Sequence, residues 1–242
     1  MRIGLRFDEY DLRARISPAV IVTLPALVAV FTFTNVARTV IGAALVTGIE
    51  GAFVLLLLTI ARDRGKRIEA RLYTKWGGKP TMAILRHCDA RLDPFTKERY
   101  KRTLSSLSGL SFPNQEQESA DPVRADHLYE SAVKALIEKR RGKTYRLVFS
   151  ENCNFGFVRN LLGLKPIGLF ISVLTVASVG FLIWRRWGNI PDSWYIPGVA
   201  GIAVLLSLLL VTEGSARRTA EAYANALLRT CEPSQRTRTV GS

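Results

Sequence analysis

Four stretches of this chain are long and apolar enough to cross a lipid bilayer, and nothing else in the sequence restricts the fold as strongly. Residues 16–36 run 21 positions without a charge, and residues 39–61 carry only Glu50. Residues 167–184 and 195–212 carry none. A hydrocarbon core ~30 Å thick is crossed by about 20 residues at helical rise. Helices in a soluble core rarely extend that far without a charge. Only Ala37 and Arg38 separate the first two runs, and residues 185–194 separate the last two. Each pair is therefore expected to return across the bilayer as an antiparallel hairpin. The expected fold is an all-α membrane protein. Two transmembrane hairpins, 16–61 and 167–212, flank a small, mostly helical cytoplasmic domain at 62–166. Residues 1–15 are expected as a cytoplasmic N-terminal segment, and 213–242 as a cytoplasmic C-terminal helix with a disordered tail.

Charge sets the expected orientation. The chain holds 34 Lys and Arg against 20 Asp and Glu, although 48% of it is hydrophobic. The two properties coexist because they occupy different stretches. That separation excludes an ordinary soluble fold, a disordered chain and a disulfide-stapled secreted domain. Segments 1–15, 62–166 and 213–242 carry 31 of the basic residues, and the opposite side has Arg38, Arg185 and Arg186. Basic residues near span ends stay cytoplasmic. Both termini and the central segment are thus expected in the cytoplasm, with the chain in a bacterial inner membrane. Trp184, Trp187, Trp194 and Tyr195 gather around the opposite loop, where aromatic rings favour the headgroup layer. The first apolar run is too long for a signal-peptide core, and no small-residue cleavage site follows it. Cys88, Cys153 and Cys231 fall on the cytoplasmic side, which fits reduced thiols.

The central segment carries 22 Lys and Arg against 12 Asp and Glu, a net of +10. Its helix signals are local. The second span is expected to continue as a basic helix to about Lys75 and stop at Gly77-Gly78 and Pro80. Asp93-Pro94 and Asp121-Pro122 each pair an N-cap with proline at the first helical position. The helices they open are expected to reach about Leu107 and Arg141. Residues 108–120 read as a mobile loop. Residues 145–149 read as a short strand or a helical turn, and 150–166 as an amphipathic stretch at the inner interface. Residues 215–229 read as a helical extension of the fourth span. Anionic headgroups attract basic residues beside a membrane by about 1 kcal/mol each. Arg62, Arg64, Lys66, Arg67, Lys75 and Lys79 are the candidates for such contact, or for a phosphate-bearing ligand such as a nucleotide. Nucleic acid is the less favoured partner, because no recognition motif accompanies the charge.

Motifs for chemistry are sparse. The turn Lys75-Trp76-Gly77-Gly78-Lys79-Pro80 lacks the spacing of a phosphate-binding loop and follows no strand. His87, Cys88 and Asp89 adjoin, but no second close pair of ligands completes a zinc site. A Cys/His nucleophile pair has no further support. No catalytic residue, cofactor or metal is expected. Glu50 is the sharpest single feature. A charge at the centre of a span costs on the order of 2.5–3.5 kcal/mol on insertion scales. Thr47 one turn away, or Asn35, Thr32, Ser172, Thr175 and Ser178 on other helices, could bond it. Gly48 and Gly51 beside it form small-residue pairs with Ala44 and Thr47 that let helices approach, within one bundle or between copies.

The stretch Trp76-Gly77-Gly78-Lys79-Pro80-Thr81 and the approach Arg159-Asn160-Leu161-Leu162-Gly163-Leu164-Lys165-Pro166 are similar to uncharacterised bacterial four-span membrane proteins. Hairpins around a small cytoplasmic domain resemble membrane effectors of nucleotide-signalled bacterial defence. Glu50, the two hairpins and the basic domain between them lead to the expectation of a domain that senses a ligand or partner and helices that alter membrane integrity, with homo-oligomers if a pore forms. The competing expectation is a non-conducting scaffold that recruits a cytoplasmic protein. A membrane-bound enzyme has least support, because no paired catalytic groups are visible.

Overall fold

The computed structural model describes residues 8–34, 39–142, 144–186, 188 and 190–232. Asn35, Arg38, Trp187 and the tail 233–242 lie outside them. Among the described residues every regular element is helical, and four helices are long and apolar enough to cross a membrane. The elements are α1 (Ser17–Phe33), α2 (Val40–Lys75), α3 (Pro80–Ala83), α4 (Pro94–Ser108), α5 (Gln115–Ala120), α6 (Pro122–Lys139), α7 (Arg146–Arg185), α8 (Tyr195–Leu210) and α9 (Glu213–Arg229). Contacts divide the chain into two compact units, one from 1–70 with 153–216 and one from 71–152 with 217–242.

In the first unit, α1 is entered through a wide turn over Asp11–Ile16, where the Ser17 amide bonds to the carbonyl of Leu12. Pro18 explains a vacancy beside it. Proline has no N–H to give the carbonyl four residues back, which is that of Ala14. The fully buried Asn160 of α7 donates to that carbonyl instead, at 2.7 Å. Glycines then set how closely α7 meets its neighbours. A Cβ on Gly163 would lie 3.0 Å from the Gly65 amide nitrogen of α2, and one on Gly156 would lie 2.9 Å from Ala14 Cβ. A Cβ on Gly168 would strike Val22 of α1 and Leu208 of α8. Lys165 donates to the Val211 carbonyl at the end of α8, at 2.8 Å. Around this core, Ile41, Leu45, Ile49, Phe170, Leu174, Phe181, Val199, Ile202 and Leu206 are exposed. So much outward apolar surface suits lipid and would aggregate in water. At one end Phe33 meets Trp194 edge-on at 5.2 Å, and Arg186 lies over the Trp194 ring.

The second unit is built around α6, which packs against α3, α4 and α5. Its core joins Ile84, Leu85, Leu104, Tyr129 and Leu136 to Leu227 and Leu228 of α9. Asp93 caps α4 by accepting from the Thr96 amide, and Asp121 caps α6 by accepting from the Arg124 amide. The α2 helix ends at Lys75, where Gly77 and Gly78 take positive φ of 74° and 133° that side chains rarely tolerate.

Two expectations change, for residues 108–120 and for the fourth span's extension. Residues 108–120 contain α5, because Asn114 and Gln117 bond each other's backbone as a capping box. Of the two readings for residues 145–149, the helical one holds, since 146–149 form the first turn of a longer helix. That helix is α7, which runs 40 residues. Residues 150–166 lie in the N-terminal part of α7, and the helix continues through Pro166. Finally, α9 does not extend the fourth span. Val211 is extended, and Thr212 starts a new helix by accepting from the Ser215 amide at 3.3 Å.

Candidate functional site

Glu50 lies midway along the apolar part of α2. It is partly exposed and has no hydrogen-bonding or charged partner among the described residues. The candidates for that partner lie elsewhere. Thr47 is exposed, Asn35 is outside the described residues, and Thr32 donates to its own helix at the Val28 carbonyl. Ser172 and Thr175 face Gly201 of α8, and Ser178 is exposed. A Cβ on Gly48 or Gly51 would meet nothing within 4 Å. Residues one and two apart do not share a helix face, so this open small-residue face is turned away from the Glu50 side chain, whose neighbours on its own face are Val46, Thr47, Phe53 and Val54.

The basic candidates separate into two kinds. Arg62, Arg64, Lys66 and Arg67 are exposed on the continuation of α2 beyond its apolar part. Lys75 is exposed at the end of the same helix. Lys79 is held by Glu130 at 2.6 Å, so its charge is locally neutralised. Hydrogen bonds from Lys79, then from Lys134, keep the Glu130 carboxyl below its ordinary pKa. The Gly77 and Gly78 amides donate to the carbonyls of Thr74 and Tyr73. Their role is to end α2, and they are not free to cradle a phosphate.

The densest chemistry lies within the second unit, where His87, Cys88 and Asp89, weighed from the sequence and set aside, line a cleft with two lysines that were not candidates. A cleft of about 480 Å³ is lined by His87, Asp89, Asp93, Lys97, Lys101 and Gln115, among others. Two of these are buried lysines on α4, Lys97 at 6% and Lys101 at 4% exposure. Lys97 donates to the carbonyls of Arg86 at 2.7 Å and Asp89 at 2.5 Å, which ties down the turn before α4. Lys101 Nζ lies 2.8 Å from His87 Nε2 and 5.0 Å from the centre of the Tyr129 ring. His87 Nε2 is also 3.1 Å from the Pro113 carbonyl. One ring nitrogen cannot donate to that carbonyl and accept from an ammonium at once. The two contacts therefore compete for one proton.

Glu118 of α5 closes the network from behind. Its carboxylate accepts from the His87 amide at 2.9 Å and from the Tyr129 hydroxyl at 2.6 Å. Burial lowers the Lys101 pKa to about 8, with Lys97 adding to the drop and Glu118 opposing it. Burial and the bond to Glu118 push the Tyr129 hydroxyl the other way. Burial alone would raise the Asp89 carboxyl, but hydrogen bonds from Arg91 outweigh it and hold the pKa low. Arg86 grips Asp126 of α6 through two bonds, at 2.8 and 2.6 Å, and anchors the same turn.

No group of three or more His, Cys, Asp or Glu is placed to hold a metal ion among the described residues. No protein family, curated protein or solved structure matches the chain.

Proposed function

We propose that the chain is a ligand-responsive membrane protein whose apolar helices alter the permeability of the bilayer that holds them. Glu50 carries this reading. An ionisable group in the middle of a span is costly unless it is paired, neutral or facing water, and Glu50 has no partner among the described residues. The open face of Gly48 and Gly51 on the same helix suits the close approach of a second copy of the chain. The helix that bears Glu50 also bears the exposed basic residues Arg62, Arg64, Lys66 and Arg67, which suit anionic headgroups of the inner leaflet of a bacterial plasma membrane. The second unit, which holds the cleft, is the sensing part.

The test is induced expression in cells loaded with a potential-sensitive dye. Wild-type protein, given its ligand, depolarises the membrane, and Glu50→Gln changes the extent or the pH dependence of that response. If the potential never changes under any added nucleotide or metabolite, the non-conducting scaffold reading replaces this one. That alternative requires a stoichiometric cytoplasmic partner on purification from membranes.

A further inference from the structure

We propose that the cleft in the second unit takes a small carbonyl compound, an aldehyde or ketone, which Lys101 holds covalently as a Schiff base. This inference stands on the second unit alone and does not depend on whether the helices conduct. Three observations carry it. Lys101 is almost completely buried, yet it lines a cleft of about 480 Å³. A second ammonium, Lys97, lies one turn away on the same helix and is fixed in place by backbone carbonyls. A nitrogen base, His87 Nε2, lies 2.8 Å from the Lys101 amine. A desolvated lysine beside another cation is the arrangement that makes an amine nucleophilic near neutral pH. The lowered pKa of about 8 agrees with that geometry.

The step balances without an oxidant or reductant. His87 Nε2 accepts the proton that leaves the Lys101 ammonium. The freed amine pair forms a bond to the carbonyl carbon, and one N–H proton of the adduct passes to the carbonyl oxygen, which becomes a hydroxyl. His87 returns its proton to that hydroxyl as the C–O bond breaks and the nitrogen lone pair forms the C=N bond. The products are a protonated imine on Lys101, which keeps the positive charge of the original ammonium, one water and neutral His87. His87 is a positioning and proton-transfer group here, and Lys97 keeps the turn in register. Lys101 is faced by Lys97 and Glu98 on its own helix, His87 on the preceding turn, Glu118 on α5 and Tyr129 on α6.

The experiment uses full-length protein in detergent, propanal as the carbonyl, and borohydride to reduce any imine to a stable amine. Peptide mass spectrometry then compares Lys101 with the exposed lysines Lys66 and Lys134. At pH 7 an amine with this pKa is neutral roughly two orders of magnitude more often than an ordinary lysine. Lys101 is therefore modified at least tenfold faster, with a half-maximal rate near pH 8, while Lys66 and Lys134 react fully only near pH 10. The variant His87→Gln slows modification at Lys101 by roughly tenfold or more and leaves Lys66 and Lys134 unchanged. Modification of Lys101 no faster than of Lys66 and Lys134 at pH 7 overturns the proposal. An unchanged rate in His87→Gln removes the proton-transfer role.

Discussion

Lys97 and Lys101 show how a charged residue comes to lie inside a helical core. In α4 the buried positions are Lys97, Tyr100, Lys101 and Leu104, spaced three and four apart. That spacing marks a single helix face. The apolar positions Tyr100 and Leu104 were enough to predict which face turns inward, and both lysines lie on it. Read as charges alone, they appear to belong in water, and the cleft was not legible for that reason. The cost of their burial has a definite sign. Lys101 has a folded pKa of about 8 against 10.5 unfolded. Between those values the unfolded chain binds the extra proton, so this group's contribution to stability improves as pH rises from about 8 to 10.5. Below pH 8 its penalty is complete. Cys231, raised by burial to about 11, acts in the opposite sense above its ordinary value, so a pH scan of wild type alone mixes the two. The difference in thermal midpoint between wild type and Lys101→Met isolates Lys101, and the advantage of the methionine variant shrinks from pH 8 to 10. Glu118 gives a second check. Glu118→Ala leaves the Tyr129 hydroxyl and the His87 amide without an acceptor, which costs about 1–3 kcal/mol for a buried donor. Chemical denaturation of the purified protein measures that loss.

At the level of elements, termini were legible and long-range packing was not. Asp93-Pro94, Asp121-Pro122 and Gly77-Gly78 are local signals, and each sets an observed helix boundary. The separation of α9 from α8 escaped notice, because Thr212 follows an apolar run directly and its capping bond depends on Ser215. The place of Leu227 and Leu228 in the core of the second unit was hidden for a different reason: they lie about 90 residues beyond α6 in sequence. The crossing of α2 and α7 depends on Gly65 and Gly163. Any Cβ at Gly163 meets backbone of α2 at 3.0 Å, which no side-chain rotation relieves. Gly163→Leu therefore forces the helices apart and costs about 1–3 kcal/mol or more by overpacking. The measurement is the melting temperature in detergent, with Gly48→Leu as the contrast. Gly48 has open space in the single chain, so Gly48→Leu leaves this melting temperature within a degree or two.

For the molecule as a whole, two kinds of surface coexist on one chain. The first unit presents apolar side chains outward, and the second unit encloses its own apolar core and a polar cleft. The four spans were readable directly, since apolar runs of 18 or more residues with at most one charge have few other uses. The sites were less readable. Glu50 announces itself as a lone charge, but its lack of a partner among the described residues is a property of packing. If all four apolar helices cross the membrane, the second unit lies on one side and the turn between α7 and α8 on the other. Cys88 is exposed in the second unit, whereas Cys153 and Cys231 are buried. A cysteine introduced as Asp192→Cys marks the opposite turn. A membrane-impermeant maleimide, added to intact cells and read by peptide mass spectrometry, should modify the cysteine at 192 at once and Cys88 only after the membrane is opened. Modification of Cys88 in intact cells as fast as the cysteine at 192 would contradict this account.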